Sequence, residues 1–141
     1  MQAGFELFDH TADIGLCIRA PTLEALVPAA IQGLYAVIGQ LLPDATVQLL
    51  PFQWERRGDS SALLLRDCLA ELLLIFERNH RIAIDLVVRR FTEHQLNVDA
   101  QLALVDVALS EYDHEVKAIT YHELAVRQVP GGYEARIIVD I

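Results

Sequence analysis

Five consecutive residues near the start of the chain, Asp9-His10-Thr11-Ala12-Asp13, put two carboxylates, an imidazole and a hydroxyl into one short link between apolar segments. The far end holds a second acidic feature, Asp140 beside the terminal carboxylate of Ile141. If the two ends meet, Asp13, Asp140 and Ile141 offer three negative charges and several oxygen donors. Such a set suits a hard divalent cation, Ca²⁺, Mg²⁺ or Mn²⁺, better than a soft metal. His10 would add nitrogen and turn the choice toward manganese or zinc, while Asp9 has the turn-capping role open to it.

Other chemistries lack their residues. There is no glycine-rich phosphate loop, no paired CxxC, no HExxH and no nucleophile elbow around a serine. Acidic residues outnumber basic ones 20 to 11, giving a net charge of -9. That field repels phosphate backbones and anionic lipid, so direct nucleic-acid and membrane contacts are disfavoured. Lys117 is the single lysine among eleven basic residues. Cys17 and Cys68 have no metal-ligand spacing and are expected as reduced, buried thiols. The N-terminus lacks the basic and apolar regions of a signal peptide, and charges interrupt the most apolar helix segment. A soluble, cytoplasmic protein is expected.

At 141 residues the chain suits one domain with its own core. Phe5 to Phe8 alternates as a strand. From Asp13 the alternation places Ile14, Leu16, Ile18 and Ala20 on the core face and turns Asp13, Gly15, Cys17 and Arg19 away from it. Thr22 is an N-cap signal for a helix through Leu34 and Val37 that stops near Gly39. Pro28 must kink that helix or shift its start. Thr46 to Arg57 reads as a strand that Pro51 makes an edge or a bulge. Asp59 or Ser60 caps a second helix to about Asn79, apolar on nearly every side, so it is assigned to the centre of the core; a heptad seam between copies is the other reading.

Ile82 to Val88 and Leu96 to Leu104 alternate as antiparallel neighbours, and Val105 to Val116, with His114, reads as an acidic loop. Lys117 to Gln128 and Tyr133 to Asp140 form the last pair. A Gly131-Gly132 turn would set Val126 opposite Ile137 and Glu123 opposite Asp140, at the cost of facing Arg127 with Arg136. Lys117 would then lie six residues from Glu123, roughly 20 Å at ~3.3 Å per residue, and would meet a partner rather than the ion. His122 would be a strand side chain packed beside its neighbours. The order β-β-α-β-α-β-β-β-β gives an α+β domain, two helices packed on one face of a mostly antiparallel sheet.

Asp9-His10-Thr11-Ala12-Asp13-Ile14-Gly15, Lys117-Ala118-Ile119-Thr120-Tyr121-His122 and the ending Asp140-Ile141 together resemble the archease family over almost the whole chain. The resemblance implies an accessory protein rather than a stand-alone enzyme. Archeases activate an RtcB-family RNA ligase, promoting its metal-dependent guanylylation and multiple turnover in tRNA splicing or RNA repair. By position, Asp13, Asp140 and Ile141 match the family's metal-binding residues, and Lys117 matches a lysine implicated in activation. Val105 to Glu115 departs from the pattern, lacking a Gly-Glu pairing and a longer loop. Two readings from other classes stand beside this one: a small metal-dependent hydrolase using the same carboxylates with His10 as base, and a chaperone-like binding module motivated by the apolar second helix.

Overall fold

The computed structural model describes residues 1–141. Alternation at the N-terminus forms a hairpin, β1 (Gly4–His10) and β2 (Asp13–Ala20), joined by Thr11-Ala12. Leu16, Ile18 and Ala20 are buried on the core face, and Arg19 on the other face is exposed. The turn is tight enough to hold Thr11 at φ 51°. A β-branched residue there carries backbone strain, of order 1–3 kcal/mol.

Helix α1 (Leu26–Ile38) resolves the proline conflict by starting late. Thr22 caps the turn before the helix and not the helix itself: its hydroxyl accepts from the Ala25 N–H at 3.2 Å, the Leu26 N–H donates to the Leu23 carbonyl, and Ala25, the N-cap of α1, brings no side-chain cap. Pro28 then falls in the first turn, where no intrahelical partner awaits its missing N–H. The helix ends in β3 (Gly39–Gln40), which pairs with β7 (Glu111–Tyr112) in the stretch expected to be wholly loop. Gly39 is required by close approach, since a Cβ would sit 2.0 Å from the Glu111 carbonyl oxygen.

Strand β4 (Leu50–Arg57) is an edge strand, as Pro51 requires, of a three-stranded antiparallel sheet with β6 (Gln95–Leu104) at its centre and β5 (Arg81–Phe91) beyond. Helix α2 (Ser61–Asn79) is capped by Ser60, whose Oγ accepts from the Leu63 N–H at 3.2 Å. Leu64, Leu65, Cys68, Leu69, Leu72 and Leu73 are buried in the main core cluster. Burial pushes the Cys68 thiol up to about 12, which leaves it inert, whereas Cys17 is only half-buried.

The last third builds the larger sheet. Strand β10 (Gly132–Asp140) lies between β2 on one side and β8 (Ala118–Ile119) and β9 (Ala125–Val129) on the other; every pairing is antiparallel. The fold is thus α+β, with two helices, mostly antiparallel sheet and the expected order of major elements. Two details of the expected register are corrected. The hairpin turn is Pro130-Gly131, with Val129 opposite Gly132 and Gly131 at φ 86°. This moves the register by two residues, which keeps every side chain on its face but replaces the Arg127–Arg136 clash by Arg127 opposite Glu134. The expected single strand from Lys117 to Gln128 is also broken, because Thr120 to Leu124 leaves the ladder between β8 and β9. Asp140 therefore faces Ala118, not Glu123.

Glu134 sets the register chemically. Its carboxylate accepts from Arg127 at 2.7 Å and from Arg19 at 3.0 Å, so both neighbouring strands are tied to β10. The hydrogen bonds from Arg127 and then Arg19 hold its carboxyl below the ordinary value of 4.5. A lowered native value means stability that is present above the ordinary value and lost as pH falls through the native one. In Glu134→Gln the acid-side fall in the urea midpoint is expected to flatten; an unchanged pH profile would show that the tie contributes nothing.

Candidate functional site at the strand ends

Strand β10 pairs residue for residue with β2, and the ladder ends on Asp140 opposite Asp13. On β2's other side His10 lies opposite Asp13. Directly opposed residues of antiparallel strands share a face, with Cβ atoms about 4.5–5.5 Å apart. His10, Asp13 and Asp140 therefore stand in a row on the face turned away from the core. Both aspartates are half-buried, and neither is ion-paired with a side chain of this chain. Ile141 follows, its side chain packed against the main core cluster, which anchors the end of the strand.

The broken strand brings Lys117 to the same end. Its backbone N–H donates to the Asp140 carbonyl at 2.8 Å, and its exposed side chain makes no ion pair. The expectation that Lys117 lies roughly 20 Å off, at ~3.3 Å per residue, is thus overturned by the register. What bends the chain is the stretch after β8. Thr120 donates to the Ile138 carbonyl through both its N–H, at 3.0 Å, and its hydroxyl, at 2.9 Å, and the hydroxyl accepts from the His122 N–H at 3.2 Å. Glu123 completes the corner at φ 51°. His122 is exposed in this corner rather than packed in a strand.

The corner puts Glu123 over the outer face. Its carboxylate meets His10 Nε2 at 2.7 Å and Arg136 Nη2 at 3.5 Å. The Arg136 guanidinium carbon is 4.2 Å from the centre of the Phe8 ring, and that ring covers Gly15, where a Cβ would fall 2.0 Å from Phe8 Cζ. Gly15 is therefore part of the site's support. His10 is held by Glu123, with its Nδ1 buried and unpartnered. Asp9 points to the opposite face from this row and its side chain makes no hydrogen bond, so the turn-capping role is not realised. The expected register brings Glu123 to the row as a strand partner of Asp140, whereas Glu123 reaches the row through the corner. Nothing in the sequence marks Arg136 or Phe8 as partners, and the like-charge clash between Arg127 and Arg136 was the one signal against the simple register.

Chemically, the row is a pair of unpaired carboxylates in a fixed register at a solvent-facing strand end. Oxygen donors of this kind suit a hard cation. No three His, Cys, Asp or Glu side chains converge as a closed cage. The site is open, and further donors must come from the chain end, water or a docking partner.

Fold and site together define a small α+β protein whose two ends meet at one acidic strand end. The pattern of the Archease protein family (MTH1598/TM1083) matches residues 5–141. This chain belongs to the archease family. It is 30% identical to protein archease of Pyrococcus abyssi over 141 residues, covering 97% of this chain and 98% of the relative. It is 26% identical to that of Methanosarcina barkeri over 144 residues, covering 97% and 95%. Among solved structures, Methanobacterium thermoautotrophicum protein 1598 superposes with a TM-score of 0.75 at 25% identity, covering 98% of this chain and 99% of that one. An archease of Thermotoga maritima, described as a possible chaperone, shares the fold with a TM-score of 0.68 at 18% identity, covering 100% and 98%.

The Phe8–Arg136 stack is testable by a double-mutant cycle. Phe8→Ala and Arg136→Ala together should show a coupling of about 0.5–1 kcal/mol in urea unfolding. Strict additivity would remove the stack as a support of the site.

Proposed function

We propose that this chain is an accessory protein that binds a divalent cation at Asp13, Asp140 and the carboxylate of Ile141, and so activates an RtcB-family RNA ligase in tRNA splicing or RNA repair. The observation that carries the reading is the register, Asp140 opposite Asp13 with Lys117 bonded to the Asp140 backbone. Mg²⁺, Mn²⁺ and Ca²⁺ all suit an oxygen-only donor set; His10, held by Glu123, has a supporting role. An open site fits a cation presented to a partner, because the partner can complete the coordination. Lys117 stands within reach of the same partner surface. The cation would offset the negative charge of whatever nucleotide group the ligase carries. This chain's part is to fix two carboxylates at a rigid strand end, with the Lys117 backbone tied beside them and its side chain free to meet the partner.

Family membership supports an accessory role. The description of the Thermotoga relative as a possible chaperone fits a protein-binding role too. Most of the apolar surface of α2 belongs to the core, where Leu64, Leu65, Leu69, Leu72 and Leu73 are buried, while Leu74 is exposed. No helix is long and apolar enough to cross a membrane.

The decisive experiment measures guanylylation of the cognate ligase. Asp13→Asn and Asp140→Asn are each expected to lower stimulation at least tenfold, equivalent to about 1.4 kcal/mol; full stimulation by both would remove the metal-site mechanism. In titration calorimetry with Mn²⁺, an extension after Ile141 is expected to weaken binding more than an extension before Met1, because it turns an anionic ligand into an amide. Equal affinities would exclude the terminus as a ligand.

A further inference from the structure

A second concave site lies beside the first, where the C-terminal end of α2 faces the segment from β7 to β8. It is a cavity of about 330 Å³ whose apolar floor is Ile38, Leu73 and Val116. One wall is aromatic. Phe76 and His80 stack with ring centroids 5.2 Å apart and planes 21° from parallel, and the Tyr112 hydroxyl lies 3.4 Å from His80 Nε2. His80 is held there by its place as the left-handed cap of α2, at φ 56°, with its N–H donating to the Phe76 carbonyl at 2.9 Å. The rim is acidic: Glu77, Asp113 and Glu115 are exposed, and none is paired with a cation of this chain. No lysine or arginine lines the cavity.

We infer that this cavity accepts an arginine side chain presented by a protein partner. Rings and carboxylates recognise different parts of one group: a guanidinium lies flat on an aromatic face and donates from its edge to acids around it. An apolar floor takes the methylene stem, which a hydrated ammonium or metal ion does not need. The volume is at the small end of ligand pockets, about 300–1,000 Å³, which suits one long side chain rather than a cofactor. Three unpaired carboxylates repel a phosphate, so a nucleotide is the wrong occupant.

Position makes the cavity useful. Val116 lines it, and the next residue, Lys117, is bonded to Asp140. An arginine seated here would anchor a partner with its surface across Lys117 and the acidic strand end. The inference rests on the reading of the chain as an accessory that docks on a protein.

The test uses the full chain, isotope-labelled, titrated by NMR with the blocked peptide acetyl-Gly-Arg-Gly-amide and with its citrulline counterpart, which keeps the shape and loses the charge. The arginine peptide at millimolar concentration should shift amides of residues 73–80 and 112–116. Citrulline should bind about tenfold more weakly, and the double variant Glu77→Gln/Glu115→Gln should weaken arginine binding to a similar degree. Both substituted residues are exposed, and Mn²⁺ binding by the double variant should match the parent, which separates this site from the strand-end site. Equal binding of citrulline, shifts spread over the acidic surface, or no shift in these two segments would overturn the inference. The peptide titrations depend on neither the ligase nor the cation, so the docking cavity can fail while the proposed function stands.

Discussion

The structure depends on where β10 sits. By pairing with β2 along its whole length, the last strand carries the chain's final residues to the turn that follows its first strand. Nothing local could do this, since Asp13 and Asp140 are separated by nearly the entire sequence. On the core face of β10, Ala135, Ile137 and Val139 are fully buried, and on that of β2 so are Leu16, Ile18 and Ala20. A one-residue slip would expose both sets, so the hydrophobic pattern protects the register and the register delivers the two carboxylates. Glu134, bonded to both neighbouring strands, adds a polar constraint to the same alignment.

The site that results is supported from its outer side. The Thr120–Glu123 corner folds Glu123 back over the sheet, where it holds His10 and Arg136, and Arg136 covers Phe8 above Gly15. Two residues in left-handed backbone, Thr11 and Glu123, flank this arrangement. Strain of this kind persists only when surrounding structure over-determines it. Here the two antiparallel ladders on either side of the corner do so. The acidic pair itself stays open, which suits a site completed by another molecule rather than one that works alone.

Much of this was legible in the residues. Alternation located β1, β2 and β10 and put Asp13 on the outer face, Ser60 marked its helix start, Thr22 marked the turn that leads into α1, and Pro28 signalled the late start of that helix. The family was legible from three motifs in order. What failed was the path from Lys117 to Gln128. An apolar-rich stretch reads as one strand because the periodicity is carried by side chains, whereas the corner is made by backbone: Thr120 bonding twice to one carbonyl and Glu123 entering positive φ. Neither residue type demands that conformation. The hairpin turn was misplaced by one residue, and the register with it by two, because Pro130-Gly131 and Gly131-Gly132 are both competent turns; the choice was made by Arg127 meeting Glu134 instead of Arg136. The two-residue strands β3 and β7 are below the length at which any alternation can be read, so the cavity they help to shape had no sequence signal.

Paramagnetic broadening by Mn²⁺ tests the central claim most directly, because it locates the ion without reference to activity. With a small fraction of an equivalent of Mn²⁺, the account predicts that amide signals of Asp13, Ala118, Asp140 and Ile141 disappear first and survive in the Asp140→Asn protein. Broadening that begins at Glu111 to Glu115, or spreads evenly over the acidic surface, would contradict a cation site at the meeting of the two ends.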